Sequence, residues 1–307
     1  WFNSTSSTYK IAVAGAGAWS SGGTLNNTTS VQSGAGTQTA TLSIAGISPA
    51  GEGSNKTETY NGTAWTEVAD TNTLKYAGMG CGTQTAAVTA AGNKPLGTTD
   101  NTETWDGTSW TEVGNLVGPT RADVQGCGIQ TAALCFGGTG GSPPTSQRQT
   151  NEQWNGTSWT EVNDLVAPAV GTAAIGLVTA ALAVGGGPSP SGSTRNESFD
   201  GTSWTEVNDL TSARNALCSS GIQTAGMVMG GKTAPGTIVA VVEQWNGSSW
   251  TEVADLATGR ANWNVSLSAA PNSLSIVFAG RTPGDTPSTL TEEWNDPVYS
   301  VKTVTTS

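Results

Sequence analysis

Trp245-Asn-Gly-Ser-Ser-Trp-Thr-Glu-Val253 is one of six versions of the same stretch. The others are Tyr60–Val68, Trp105–Val113, Trp154–Val162, Phe199–Val207 and a degraded last copy, Trp294–Val301. A second marker keeps the same period. The Thr or Ser of a Gly-Thr-Gln-Thr-Ala-like segment falls at Thr39, Thr85, Thr131, Thr179, Thr224 and Ser273, in steps of 46, 46, 48, 45 and 49. The Trp series Trp65, Trp110, Trp159, Trp204, Trp250 steps by 45, 49, 45 and 46. A fixed period of this length means an array of identical supersecondary units rather than two ordinary domains.

Each unit reads as four short strands. In the fifth, a small-residue segment, Asn215–Ser220, is followed by an apolar run, Ala225–Met229, that ends in Gly230-Gly231. Next come a β-branched run, Ile238–Trp245, and the strand Trp250–Val253. The last two are joined by Asn-Gly or Asp-Gly in five of the six units. That dipeptide suits a tight hairpin because the turn needs φ > 0. No stretch combines a helical period with caps. Four antiparallel strands per unit of about 46 residues describe an all-β, six-bladed β-propeller. Small residues of the first strand suit the crowded axis, and Trp and Val fill the wedges between blades.

Composition agrees. The 307 residues are 11% charged, with 41 Gly and 12 Trp, and a usual domain is about a quarter charged. Regularly placed Trp, each able to bury roughly 150–250 Å², supply the core that Gly, Ser and Thr cannot. The formal charge is −11, which opposes binding to phosphate backbones or anionic lipid. No apolar run approaches the roughly 18 residues of a membrane span, and no signal-peptide pattern opens the chain. It starts at Trp1, as a processed form, a fragment or the ordered part of a longer chain would. Cys81, Cys127, Cys135 and Cys218 read as small buried side chains, because equivalent positions of neighbouring blades stand too far apart to bridge.

The chain resembles kelch-repeat propellers. The matching residues are the diglycines Gly137-Gly138, Gly185-Gly186 and Gly230-Gly231, the aromatic ending strand three, the Trp five residues later, and the linker arginines Arg121, Arg214 and Arg260. The match runs from Thr28 to Val304, with departures at Ala91-Gly92, Ala279-Gly280 and Lys75. The wording Gly-Thr-Gln-Thr-Ala-Ala with Trp-Asn-Gly-Thr-Ser-Trp-Thr-Glu-Val is also similar to kelch-like virion proteins of tailed marine phages. The resemblance implies a non-enzymatic structural or binding propeller, a capsid decoration or a tail or fibre module, located on a virion or outside the cell. Its implied partners are other virion or cell-surface proteins, with glycans among the candidates and homo-oligomers within a larger assembly. Two alternatives stand beside it: a carbohydrate-active enzyme using Asp/Glu carboxylates, and a kelch-type interaction adaptor.

Candidate chemistry is thin. The chain has no His, which excludes Ser-His-Asp and Cys-His nucleophiles and the His-ligated copper of kelch-type oxidases. No cofactor and no metal are expected. Asp106-Gly-Thr-Ser-Trp110 is close to a sialidase Asp-box but differs in spacing by one residue, and six Arg cannot supply both the linkers and an arginine cluster. Asp70–Thr73 and Gly284-Asp285 are too short for a calcium loop. Asn61, Asn155 and Asn246 stand in Asn-x-Ser/Thr sequences, but the turn explains them. Glu58, Glu103, Glu152, Glu197, Glu243 and Glu292 recur two residues before the strand-three aromatic. A residue present in every blade serves every blade, so these read as structural acceptors of backbone N–H groups or partners of the linker Arg. Glu67, Glu112, Glu161, Glu206 and Glu252 read as solvated guards of the outer sheet edges.

Function is therefore sought where the repeat fails. The loops between strands two and three vary most: Ile47–Lys56, Asn93–Asn101, Thr139–Thr150, Pro188–Arg195, Lys232–Gly236 and Arg281–Ser288. They share a face with the blade-to-blade linkers that carry Lys75, Arg121, Arg214 and Arg260. Arg148, Arg195 and Arg281 are the first candidates for ligand or partner contacts, with Lys232 and the linker arginines behind them. Residues 1–27 read as an N-terminal extension before a propeller spanning 28–307. Two segments compete to be the last fourth strand. Tyr299–Val304 is the first choice, because Tyr299 follows Trp294 by the usual five residues. Ala18–Gly22, whose Trp19 lies 46 residues before Trp65, is the rival, and otherwise adds an outer strand or packs on the rim.

Overall fold

The computed structural model describes residues 2–3, 8–14, 17–140, 147–187, 192–262, 265–267, 271–296 and 299–305, and for 2–14 and 299–305 the backbone alone. The molecule is an all-β, six-bladed propeller. Blade one is Ser33–Thr37, Ala40–Ile47, Gly53–Tyr60 and Trp65–Val68. Blade two is Met79–Thr83, Ala86–Lys94, Gly97–Trp105 and Trp110–Val113. Blade three is Gln125–Ile129, Ala132–Phe136, Asn151–Trp154 and Trp159–Val162. Blade four is Ala173–Leu177, Ala180–Val184, Asn196–Phe199 and Trp204–Val207. Blade five is Cys218–Ile222, Ala225–Met229, Val242–Trp245 and Trp250–Glu252.

Blade six departs from the first-choice closure. Its outer strand is Ala18–Ser21, antiparallel to Thr291–Asn295 with Trp19 opposite Trp294. Tyr299–Thr305 instead pairs with Thr8–Ala14, and Phe2–Asn3 adds to that ribbon. Tyr299–Val304 is therefore not the fourth strand of the last blade. The turn chemistry gives the reason. Where other blades have Asn-Gly or Asp-Gly, the last has Asn295-Asp296-Pro297 in its sequence, with no Gly for the φ > 0 position and a Pro, a residue unsuited to this turn.

The strand-three and strand-four aromatics face each other in every blade. Tyr60–Trp65, Trp105–Trp110, Trp154–Trp159, Phe199–Trp204 and Trp245–Trp250 have ring centroids 4.9–5.4 Å apart. Four of the six blades are tied to the one before by the Gln of the repeat. Gln84 Nε2 donates to Tyr60 O at 2.6 Å, Gln130 to Trp105 O at 2.5 Å and Gln223 to Phe199 O at 2.7 Å. Gln38 does the same across the seam, to Trp294 O at 2.7 Å. Blade four has Val178 at this place.

The diglycine departures leave the backbone unchanged. Gly137, Gly185 and Gly230 have φ of 64–67°, and Ala45, Ala91 and Ala279 take 52–61° at the same step. The three Ala accept a left-handed conformation at a cost of about 1 kcal/mol each. Gly230-Gly231 also splits the run expected from Ile238 to Trp245. Thr237–Ile238 pairs with Lys232–Thr233 in its own small hairpin, and the blade strand begins at Val242.

The axis is filled by the chain itself. Ser266–Leu267, the inner segment of blade six, runs parallel to Ser219–Ser220 and comes within 8 Å, Cα to Cα, of the inner strands of all five other blades. Ser219 Oγ and Ser266 Oγ both donate to Ala174 O. Gly34 leaves room here, since a Cβ on it would lie 3.3 Å from Val265 Cγ1 and 3.5 Å from Leu267 Cδ2.

Candidate binding face

Loops between strands two and three lie beside the blade-to-blade linkers, through bridges such as Ser30↔Ile47, Tyr76↔Asn93, Ala122↔Thr139, Asn215↔Lys232 and Ala261↔Arg281. They define one face. The opposite face carries the Asn/Asp-Gly turns. In each, the side-chain oxygen accepts two backbone N–H groups, as Asp106 Oδ1 does from Thr108 and Ser109, both at 2.8 Å. Those donors hold the Asp106 carboxyl below its usual range. The motif resembling an Asp-box is thus a turn, and Asn61, Asn155 and Asn246 occupy the same role.

The Glu series faces inward. All six are buried, at most 4% exposed. Each carboxylate accepts N–H groups of the linker that enters its blade. Glu58 takes Asn26 N and Asn27 N, both at 2.8 Å, Glu103 takes Asn72 N at 2.7 Å and Glu152 takes Val117 N at 2.8 Å. Glu197 takes Val166 N at 2.8 Å, Glu243 takes Thr211 N at 2.8 Å and Glu292 takes Ala257 N at 2.6 Å.

Arg121, Arg214 and Arg260 complete this clamp and do not face solvent. Arg121 reaches Glu152 at 2.8 Å, Arg214 reaches Glu243 at 2.5 Å and Arg260 reaches Glu292 at 2.9 Å. Other Nη donors cap carbonyls, as Arg214 Nη1 does for Gly230 at 2.7 Å and Val241 at 2.8 Å, while the buried Nε of each has no partner among the described residues. All three are 0–1% exposed, so they are removed as ligand contacts. A guanidinium taken from water needs this many partners. Lys75 holds the same place in blade two, 3.6 Å from Glu103, and burial lowers its pKa.

The other basic candidates are scattered. Arg148 Nη2 donates to Gly140 O at 2.6 Å, and Arg195 stands 3.8 Å from Glu206 at the periphery. Lys232 and Arg281 come together across blades five and six, bridged by Asp285 at 2.8 and 2.7 Å. Lys232 and Asp285 border a cleft of about 300 Å³ with Ile238 and Pro283. Parts of the loops Thr139–Thr150 and Pro188–Arg195, residues 141–146 and 188–191, lie outside the described residues.

A larger cleft, about 360 Å³, opens between blades one and two and is lined by Glu52, Leu74, Tyr76, Lys94 and Pro95. The sequence reading missed it. Its signals were an aromatic in one linker and the apolar Pro95-Leu96 tip of the Asn93–Asn101 loop; Leu96 is 91% exposed. The four Cys are free and buried. Among the described residues, no three His, Cys, Asp or Glu are grouped to hold a metal ion, and no helix is long and apolar enough to cross a membrane.

The fold and this division of faces define the class: a six-bladed β-propeller with its strand-three Glu and linker Arg buried and irregular loops gathered on one side. No protein-family model matches the chain, and no curated protein matches it.

Proposed function

We propose that this protein is a non-enzymatic binding propeller, carried on a phage virion or outside the cell, that contacts a host surface or neighbouring virion proteins through its loop face. The observation that supports this most is the fate of the charges. The six repeating Glu and three linker Arg are spent on holding blades together. Non-repeating side chains are left for a partner on the loop face, where scaffolds of this kind present variable contacts. The virion setting comes from the near-verbatim repeat wording described above.

Glycosidic chemistry uses two carboxylates about 5–10 Å apart across one pocket. The clefts described here present one each, Glu52 or Asp285, which favours binding over turnover. The test is to probe purified particles of the encoding phage with antibodies against the loop face. Labelled virions and blocked adsorption are expected. Particles that lack the chain would overturn the virion setting.

A further inference from the structure

We propose that the cleft between blades one and two is a saccharide site, taking one neutral sugar ring against Tyr76 with Glu52 and Lys94 at its rim. It deepens the binding reading of the loop face and rests on it. The cleft, about 360 Å³, falls within the size range of small-molecule sites, roughly 300–1,000 Å³.

Its walls are preformed. Tyr76 exchanges both backbone hydrogen bonds with Asn93, at 3.0 and 2.7 Å. Lys94 and Pro95 sit at the tip of a strand hairpin in which Lys94 pairs with Gly97. Glu52 closes a tight turn, its carbonyl accepting Ser48 N at 2.8 Å. Gly53 forms the floor. A Cβ there would lie 2.4 Å from Leu74 Cδ2 and 3.3 Å from Tyr76 Cδ1, so these side chains pack against its backbone.

The charges at the rim are uncommitted. Among the residues whose side chains are described, Lys94 is the one basic residue with neither an ion pair nor a side-chain hydrogen bond, and Glu52 has no ion pair. The two stand on different blades around one aromatic wall and do not reach each other. A sugar ring matches this set. Its C–H face packs on an aromatic ring, while its hydroxyls donate to a carboxylate and accept from an ammonium. The lining carries one charge of each sign, which suits an uncharged ligand. A non-aromatic free amino acid would use both charges but has no fixed apolar face for Tyr76.

Saturation-transfer NMR on the full chain tests this, using glucose, galactose, mannose, N-acetylglucosamine and their disaccharides, with glycine and glutamate as zwitterionic probes. At least one sugar is expected to bind. Its affinity should fall at least tenfold in Tyr76→Ala and Glu52→Gln, and persist in Tyr76→Phe and Arg281→Ala. No sugar binding, sugar binding that survives both losses, or binding of the zwitterions alone would overturn the site. If Tyr76→Ala does not fold, Glu52→Gln and the exposed Lys94→Ala carry the test. Particle attachment without sugar binding overturns the saccharide site only; sugar binding without attachment overturns the virion setting only.

Discussion

The indole rings of Trp19 and Trp294 pack with centroids 5.5 Å apart, joining opposite ends of the chain in one blade. Trp19 Nε1 also donates to Ala254 O of blade five at 3.0 Å. The sixth aromatic pair, formed within one hairpin elsewhere, is here assembled from both termini, so the ring closes only when the N-terminal strand docks.

That closure separates two truncations. A chain beginning at Gly22 lacks the outer strand and leaves Thr291–Asn295 as an open edge, a template for aggregation. It should lose its cooperative melt or associate in size-exclusion chromatography. A chain ending at Asp296 keeps all six blades and should melt within a few degrees of the parent. Trp19→Ala, removing a half-buried ring, should cost about 2–4 kcal/mol by denaturant titration.

The same seam should be alkali-sensitive. Tyr60 Oη donates to Glu293 Oε1 at 2.6 Å and accepts Gly23 N at 3.3 Å. Burial and then the Glu293 hydrogen bond push its pKa from 10.0 up to about 12. The folded state thus holds this proton more tightly than the unfolded chain. Its contribution is fully present below pH 10 and is lost as pH rises towards 12, by about 2–3 kcal/mol in all. Tyr60→Phe should lower stability at neutral pH yet flatten the decline across this window, as read by unfolding free energy against pH.

The Glu clamps should not be equivalent. Glu152→Gln breaks a buried pair with Arg121 and strands a guanidinium that is 1% exposed, at a cost of about 3–5 kcal/mol. Glu197 accepts Val166 N at 2.8 Å and Ala167 N at 3.1 Å with no ion pair. Its replacement by Gln should cost about 1–3 kcal/mol. Equal midpoint shifts in urea would contradict the ion-pair account.

Val31 has φ of 58° where a blade is entered, and Ala77, Asp123, Gly171 and Ala216 take 55–60° at the same step. A β-branched residue is the worst fit for this conformation. Val31→Gly should raise stability by about 0.5–1 kcal/mol, strain relief exceeding the added chain entropy. A lowered thermal midpoint would mean that Val31 packing outweighs its strain.

Repetition explains what was legible. Glu152 could be read as structural because five other Glu hold the same place and the same environment recurs. The Gln130 and Trp154 positions follow from the same logic. The cleft between blades one and two resisted this, because Tyr76 and Lys94 occur in single blades. The two loops that border their cleft were each named as variable, yet nothing local says that Glu52 and Lys94 share one opening.

Sequence alone determined the six blades, four strands in each and the hairpins at Asn/Asp-Gly, because period, strand alternation and turn chemistry act over a few residues. Only the tertiary structure decided which terminus completes blade six, that Ser266–Leu267 fills the axis, and that Arg121, Arg214 and Arg260 are interior while Lys94 is free. Each of these is a competition between segments distant in the chain for one edge, one cavity or one counter-charge. Packing such as Trp19 on Trp294 settles it, and no local pattern records the outcome.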